Sequence, residues 1–190
     1  MKRIAIFASG AGSNAKKIIE HLGGSSKIEV ALIVCNKPNA GVCGIARENN
    51  IPLLLIEKEQ FQNGDAYVSV FQKEKIDWIV LAGFLWKIPT HLINAFPNKI
   101  INIHPALLPK FGGKGMYGAN VHQAVIDAKE NESGITIHFV DEHYDHGQTI
   151  FQATCKVLPG DTVADLAQKI HALEHEHFPI VIENIIGKTE

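Results

Sequence analysis

Three cysteines stand in 190 residues, at positions 35, 43 and 155, with no C-x-x-C pair among them. That is too sparse and too odd a set for a disulfide framework, and it reads as three reduced thiols in a cytoplasmic protein. Charge of one sign is also missing. Lys and Arg total 18 against 20 Asp and Glu, a net charge of −2. A dedicated nucleic-acid binder carries a basic excess, so no nucleic-acid partner is expected, although a local anion pocket is not excluded. Long hydrophobic runs are absent. The longest, from Ile79 to Trp86, is broken by Gly83 and is far too short to span a bilayer, so no membrane partner is expected. Two basic residues, Lys2 and Arg3, precede an apolar run as in a secretion signal. That run covers only Ile4 to Ala8 and ends in a glycine loop, which suits a buried first strand. No repeat or low-complexity segment is visible. His171 and His175 share a helical face, but no cysteine and no clear third ligand stands beside them, so no metal site is expected.

What the chain does contain is a regular alternation. Strand-like apolar runs at Ile4–Ala8, Ile28–Cys35, Pro52–Ile56, Trp78–Ala82 and Ile100–Ile103 are separated by helical patterns at Ser13–Leu22, Asn39–Asn49 and Asp65–Glu74. Strands that are apolar on both faces, alternating with helices, predict an α/β fold with a mostly parallel twisted sheet covered on both faces. The pattern changes after His104. Pro105–Gly118 holds two prolines and four glycines and predicts a long ordered loop. A helix at Val121–Ala128 follows. Strands at Gly134–Val140 and Thr149–Val157 then form an antiparallel hairpin, bringing the sheet to about seven strands. A last helix runs from Thr162 to about Ile186, capped by Asp161 or Thr162 and stopped by Gly187, with Pro179 predicted to kink or divide it. The whole, residues 1–190, is expected to be one domain.

In open parallel sheets, ligands bind beyond the carboxyl ends of the strands. Three segments fall on that edge. The first, Ser9 to Asn14, is a glycine loop opening a helix, where free N–H groups and the helix dipole favour an anion. No Gly-Lys-Ser/Thr ends it, so it is not a Walker A loop. It matches the loose dinucleotide fingerprint, yet Cys35-Asn36-Lys37 lacks the carboxylate that fingerprint expects. Phosphate of some kind, a dinucleotide and a structural turn remain its readings, in that order. The second segment is Ala82 to Trp86. The third ends in Asn102-Ile103-His104-Pro105, an amide and an imidazole closing an apolar strand. Asn102 suits a developing oxyanion and His104 suits proton transfer, while a strand end that satisfies the next loop is the structural alternative. Outside the edge lies Asp141-Glu142-His143-Tyr144-Asp145-His146-Gly147, a solvated acidic turn unless an acid in it reaches His104.

Together these segments resemble the folate-dependent formyltransferase family. The motifs are FASGAGSN at 7–14, VLAGFLWKIP at 80–89, INIHPALLPKFGG at 101–113, HFVDEHYDHG at 138–147 and ALEHEHFP at 172–179. They follow the family's order across nearly the whole chain, and the glycine loop favours the branch that acts on glycinamide ribonucleotide. The resemblance implies a Rossmann-like formyltransferase fold and transfer of a formyl group from 10-formyltetrahydrofolate to the amine of that ribonucleotide, in purine synthesis and without metal. It implies a catalytic trio of Asn102, His104 and Asp145. Gly12, Ser13 and Asn14 would hold the substrate phosphate, and His171, Ala172, Leu173 and Glu174 would flank the ribonucleotide. Leu85, Trp86, Lys87 and Ile88 would line the pterin pocket, with Asn102 and the loop Asp141, Glu142, His143, Tyr144 and Asp145 completing the folate site. The assembly would be a monomer or homodimer.

Departures from the family pattern are also visible. Ala106 stands where Ser is common, Gly64 where some members have Arg, and Trp86 where a basic residue is common. The loop from Phe111 to Gly118 is long and carries Lys114. Formyltetrahydrofolate hydrolase and the transferase for methionyl-tRNA are the alternatives within the family. They usually carry an extra domain, for which this length leaves no room. A nucleotide-binding module that uses only the glycine loop is the alternative without catalysis.

Overall fold

The computed structural model describes residues 1–188. In chain order the elements are β1 (Lys2–Ala8), α1 (Ser13–Leu22), β2 (Ile28–Cys35), α2 (Gly41–Glu48), β3 (Leu53–Leu55), α3 (Lys58–Asn63), α4 (Ala66–Lys73) and β4 (Trp78–Leu81). Then come α5 (Thr90–Ala95), β5 (Ile100–His104), α6 (Ala119–Asp127), β6 (Glu132–Phe139), β7 (Thr149–Lys156) and α7 (Val163–Ile186). The strands form one seven-stranded sheet in the order β3-β2-β1-β4-β5-β6-β7. The first five are mutually parallel, and β6 and β7 run antiparallel to their neighbours. The predicted α/β fold class is the one observed.

Period-2 alternation explains why the central strands are largely apolar. Along β1, Ile4, Ile6 and Ala8 join one core with α1, α2 and α7, while Ala5 and Phe7 join another with Phe61 of α3, Phe71 of α4 and Leu92 of α5. Beyond its first two residues β1 is buried on both faces, so no position there is free to be polar. The fold's consequence for function is topological. From β1 the chain winds outward to β2 and β3, then returns to β4 on the other side of β1. That reversal opens a crevice between the carboxyl ends of β1 and β4.

Two short helices, α3 and α5, have no counterpart in the sequence reading. Each is six residues long with one buried anchor, Phe61 or Leu92, too little to show a helical period. The second helix starts at Gly41 rather than Asn39. Pro179 does not divide α7, which is a single 24-residue helix. The ring removes one backbone donor, and burial of Phe178, Pro179 and Ile182 against the sheet holds that turn in place. Thr162 is the N-cap, in a reciprocal box. Its hydroxyl accepts from the Asp165 amide at 3.2 Å, and its own amide donates to Asp165 Oδ2 at 2.9 Å. Thr162→Ala is therefore expected to lower stability by about 1 kcal/mol, read as a lower urea midpoint at constant slope; an unchanged midpoint would contradict the cap.

Cys35, Cys43 and Cys155 are free thiols. Among the described residues no helix is long and apolar enough to cross a membrane, and no group of His, Cys, Asp and Glu is placed to hold a metal.

Candidate active site

A cleft of about 1150 Å³ runs along the carboxyl edge at the reversal point. Small-ligand pockets span roughly 300–1,000 Å³, so this one has room for more than a single small molecule.

At one end lies the turn between β1 and α1. Gly12 has φ 81°, and a Cβ there would stand 2.8 Å from Val42 Cβ and 2.9 Å from Ile45 Cδ1. Only glycine lets the chain pass between α1 and α2 and enter the helix at Ser13. No side chain caps that helix. Its first amides therefore remain unpaired at the cleft, together with Ser13 and Asn14, an arrangement suited to an anion. Asn14 is buried and donates from Nδ2 to Glu174 Oε2 at 3.0 Å. His171 Nδ1 lies 2.9 Å from the same oxygen. That hydrogen bond to a carboxylate pushes the His171 imidazole above its usual range and favours a cation near the glycine turn. His171 and Glu174 line the cleft, whereas Ala172 and Leu173 do not. They sit between positions i and i+3 on α7, so the helix turns them away; Leu173 packs on the core instead.

The middle wall is the segment after β4. Leu85, Trp86, Lys87 and Ile88 all line the cleft. The Leu85 amide donates to Ser9 Oγ at 3.0 Å, which ties this segment to the end of β1. Trp86 packs with Phe61 and Phe84 at ring distances of 6.0 and 6.1 Å. Lys87 Nζ stands 5.5 Å over the Tyr144 ring, joining this wall to the loop after β6. Ile88 is mostly core, at 4% exposure. From that loop Asp141, His143, Tyr144 and Asp145 face the cleft; Glu142 is not part of its lining.

Asn102, His104 and Asp145 meet in one place. The first two end β5, and the third arrives from the hairpin, with Oδ2 3.6 Å from His104 Nδ1. Two backbone groups frame them. Phe111 O lies 2.8 Å from His104 Nε2; a carbonyl only accepts, so Nε2 carries the proton and donates. The Gly113 amide donates to Asp145 Oδ2 at 2.8 Å. Phe111 and Asp145 both have left-handed backbones, with φ 55° and φ 57°. Non-glycine residues in this region store strain of about 1–3 kcal/mol each and concentrate at working sites. Gly147 makes the turn possible, because a Cβ there would fall 1.7 Å from Phe139 O.

The sequence reading did not single out His138. It pairs across strands with Asn102, and its Nε2 stands 3.1 Å from Asn102 Nδ2 and 3.7 Å from Asp145 Oδ1. Its signal was a buried imidazole in a largely apolar strand. His122, buried on α6, also lines the cleft. Of the departures, Ala106 is fully buried and its carbonyl accepts from Thr136 Oγ1 at 2.7 Å. Gly64 merely ends α3, away from the cleft, whereas Lys114 lines it.

Fold and cleft place the chain among doubly wound α/β proteins that bind small ligands at the carboxyl edge of the sheet. The Formyl transferase family model matches residues 2–182, and the chain belongs to that family. It is 43% identical over 187 residues to the chloroplastic phosphoribosylglycinamide formyltransferase of Arabidopsis thaliana, covering 95% of this chain and 64% of that protein. It is 36% identical over 192 residues to the phosphoribosylglycinamide formyltransferase of Bacillus subtilis, covering 98% of this chain and 96% of that one. Among solved structures, the phosphoribosylglycinamide formyltransferase of Bacillus halodurans superposes with a TM-score of 0.90 at 36% identity, covering 100% of this chain and 97% of that chain. The chain spans 64% and 60% of the lengths of its Arabidopsis thaliana and Vigna unguiculata relatives.

Proposed function

We propose that residues 1–190 form one formyltransferase domain that transfers the formyl group of 10-formyltetrahydrofolate to the amine of glycinamide ribonucleotide. The observation that carries this reading is the convergence of Asn102, His104 and Asp145 between an anion-binding turn and an aromatic wall, within one cleft sized for two ligands. The ribonucleotide phosphate sits on the amides of Ser13 and Asn14, with Glu174 and His171 beside its glycinamide arm. The folate ring lies along Leu85 to Ile88 and the loop from Asp141 to Asp145.

The amine nitrogen then attacks the formyl carbon and a tetrahedral intermediate forms. Holding both reactants in one pocket is worth up to about 7–11 kcal/mol. The oxyanion receives N–H groups from Asn102 Nδ2 and from Nδ1 of protonated His104, since Nε2 is already committed to Phe111 O. As the bond from carbon to folate N10 breaks, the proton lost by the amine reaches N10 through Asp145. Tetrahydrofolate and the formylated ribonucleotide leave. The residues suffice for these steps without a covalent enzyme intermediate.

Turnover is tested by supplying both substrates to the purified protein and following folate absorbance. Absorbance change that requires both substrates supports the reading. Tetrahydrofolate released without the amine would instead indicate hydrolysis, and no turnover with both present would refute the proposal. Gly12→Ala probes the anion turn. With no room for the new Cβ, KM for the ribonucleotide is expected to rise about tenfold or more, the scale of a lost helix-terminus anion contact plus left-handed strain, while KM for the folate changes little. Equal effects on both constants would contradict the placement of the phosphate.

A further inference from the structure

An asparagine amide has two nearly isosteric ends, and only one of them can stabilise an oxyanion. Turned one way, Asn102 offers N–H to the formyl oxygen. Turned the other, it offers a carbonyl and repels the developing charge. Some neighbour must select the productive end.

We propose that His138 is that neighbour, a positioning residue whose bare Nε2 holds the Asn102 amide with a second N–H aimed into the cleft. Phe139 O lies 2.8 Å from His138 Nδ1. A carbonyl accepts only, so Nδ1 carries the proton and Nε2 is the lone-pair nitrogen. At 3.1 Å from that lone pair, Asn102 must present Nδ2, and the flipped amide would set oxygen against nitrogen with no proton between them. The choice is thus transmitted from a backbone carbonyl, through one ring, to the reacting edge. His138 is 2% exposed, which keeps water from competing for Nε2.

The charge state agrees. Burial lowers the affinity of the His138 ring for a proton and outweighs the opposing pull of Phe139 O, Asp145 and Asp141; nearby His104 lowers it further. A neutral ring cannot bind Asp145 Oδ1, 3.7 Å away, and so leaves that carboxylate to His104 and to the transferred proton. His104 and His138 flank the same Asp145, and a backbone carbonyl holds one N–H of each ring, Nε2–H in His104 and Nδ1–H in His138. The Phe139 carbonyl itself is protected by the missing side chain of Gly147.

The catalytic part of this inference rests on the proposed formyl transfer, but the tautomer does not, and the tests separate the two. In the wild-type protein, nitrogen-15 NMR should show His138 protonated at Nδ1 and a through-hydrogen-bond coupling between its Nε2 and Asn102 Nδ2. A proton on Nε2, or no coupling, would overturn the proposal whether or not the enzyme turns over. In kinetics, His138→Phe keeps the ring volume and removes the acceptor. It should lower kcat about 10- to 100-fold, a part of the loss for a deleted oxyanion donor, with both KM values within about threefold. His138→Gln, whose amide oxygen can accept from Asn102, should recover most of that loss. In an Asn102→Ala background His138→Phe should cost nothing further, because the two act as one unit. An undiminished loss in that background, or no rescue by Gln, would mean that His138 does not work through Asn102.

Discussion

Asp145→Ala is expected to lower kcat by about 10²–10⁴-fold, the range for removing a positioned proton-transfer group, with much smaller changes in either KM. The size follows from what converges on this side chain. Its Oδ2 accepts from the Gly113 amide and faces His104 Nδ1, and Oδ1 faces His138. Only 12% of the side chain is exposed, so water cannot readily take over the role. Its backbone is left-handed, at φ 57°, and its side chain lies close against Gly112. Asp145→Asn makes a sharper version of the test, because it keeps the Gly113 contact through the amide oxygen and loses only the base. Measured in single turnover, a loss of under about tenfold for the asparagine variant would remove Asp145 from proton transfer.

His104→Ala is expected to cost about 2.7–4 kcal/mol in the barrier, or roughly 10²–10³ in kcat, through loss of one oxyanion donor. Phe111 O, which the ring now satisfies, would be left without its partner, so some loosening of the loop from Phe111 to Gly118 should accompany the rate loss. The effect belongs to kcat, because the oxyanion exists only in the transition state. A rate within about tenfold of wild type, well inside the cost of a lost donor, would show that His104 does not serve the oxyanion. Combined with Asp145→Ala, the loss should fall well short of the product of the single losses, since residues acting as a unit are not additive.

Much of this arrangement is legible in the chain itself, for identifiable reasons. Strand runs such as Ile28–Cys35 and helix Ser13–Leu22 have the bounds expected from their periodicity, because double-sided burial makes a strand apolar throughout. The carboxyl-edge rule picks out the glycine turn, the segment around Trp86 and the His104 strand end before any likeness to other proteins is considered. What periodicity cannot reveal is contact made at a distance. That Asp145 reaches His104 depends on β6 lying beside β5, and that Asn14, His171 and Glu174 share one hydrogen-bonded knot depends on α7 packing against α1. His138 escaped notice for a related reason. Its contact with Asn102 exists only because β5 and β6 pair, and as a lone residue it is one histidine among ten. Ala172, Leu173 and Glu142 show a different limit: a segment reads as continuous in the sequence, whereas helix or turn geometry leaves these three outside the cleft lining.

The central claim is that the formyl carbon passes directly from folate to a ribonucleotide amine within one cleft. The most direct measurement supplies 10-formyltetrahydrofolate labelled with carbon-13 in its formyl group, together with glycinamide ribonucleotide, and follows the label by mass spectrometry. The expected result is one label in each formylated ribonucleotide formed, matched mole for mole by tetrahydrofolate, with no labelled formate above the enzyme-free control. Label accumulating as formate while the ribonucleotide stays unmodified would contradict the account.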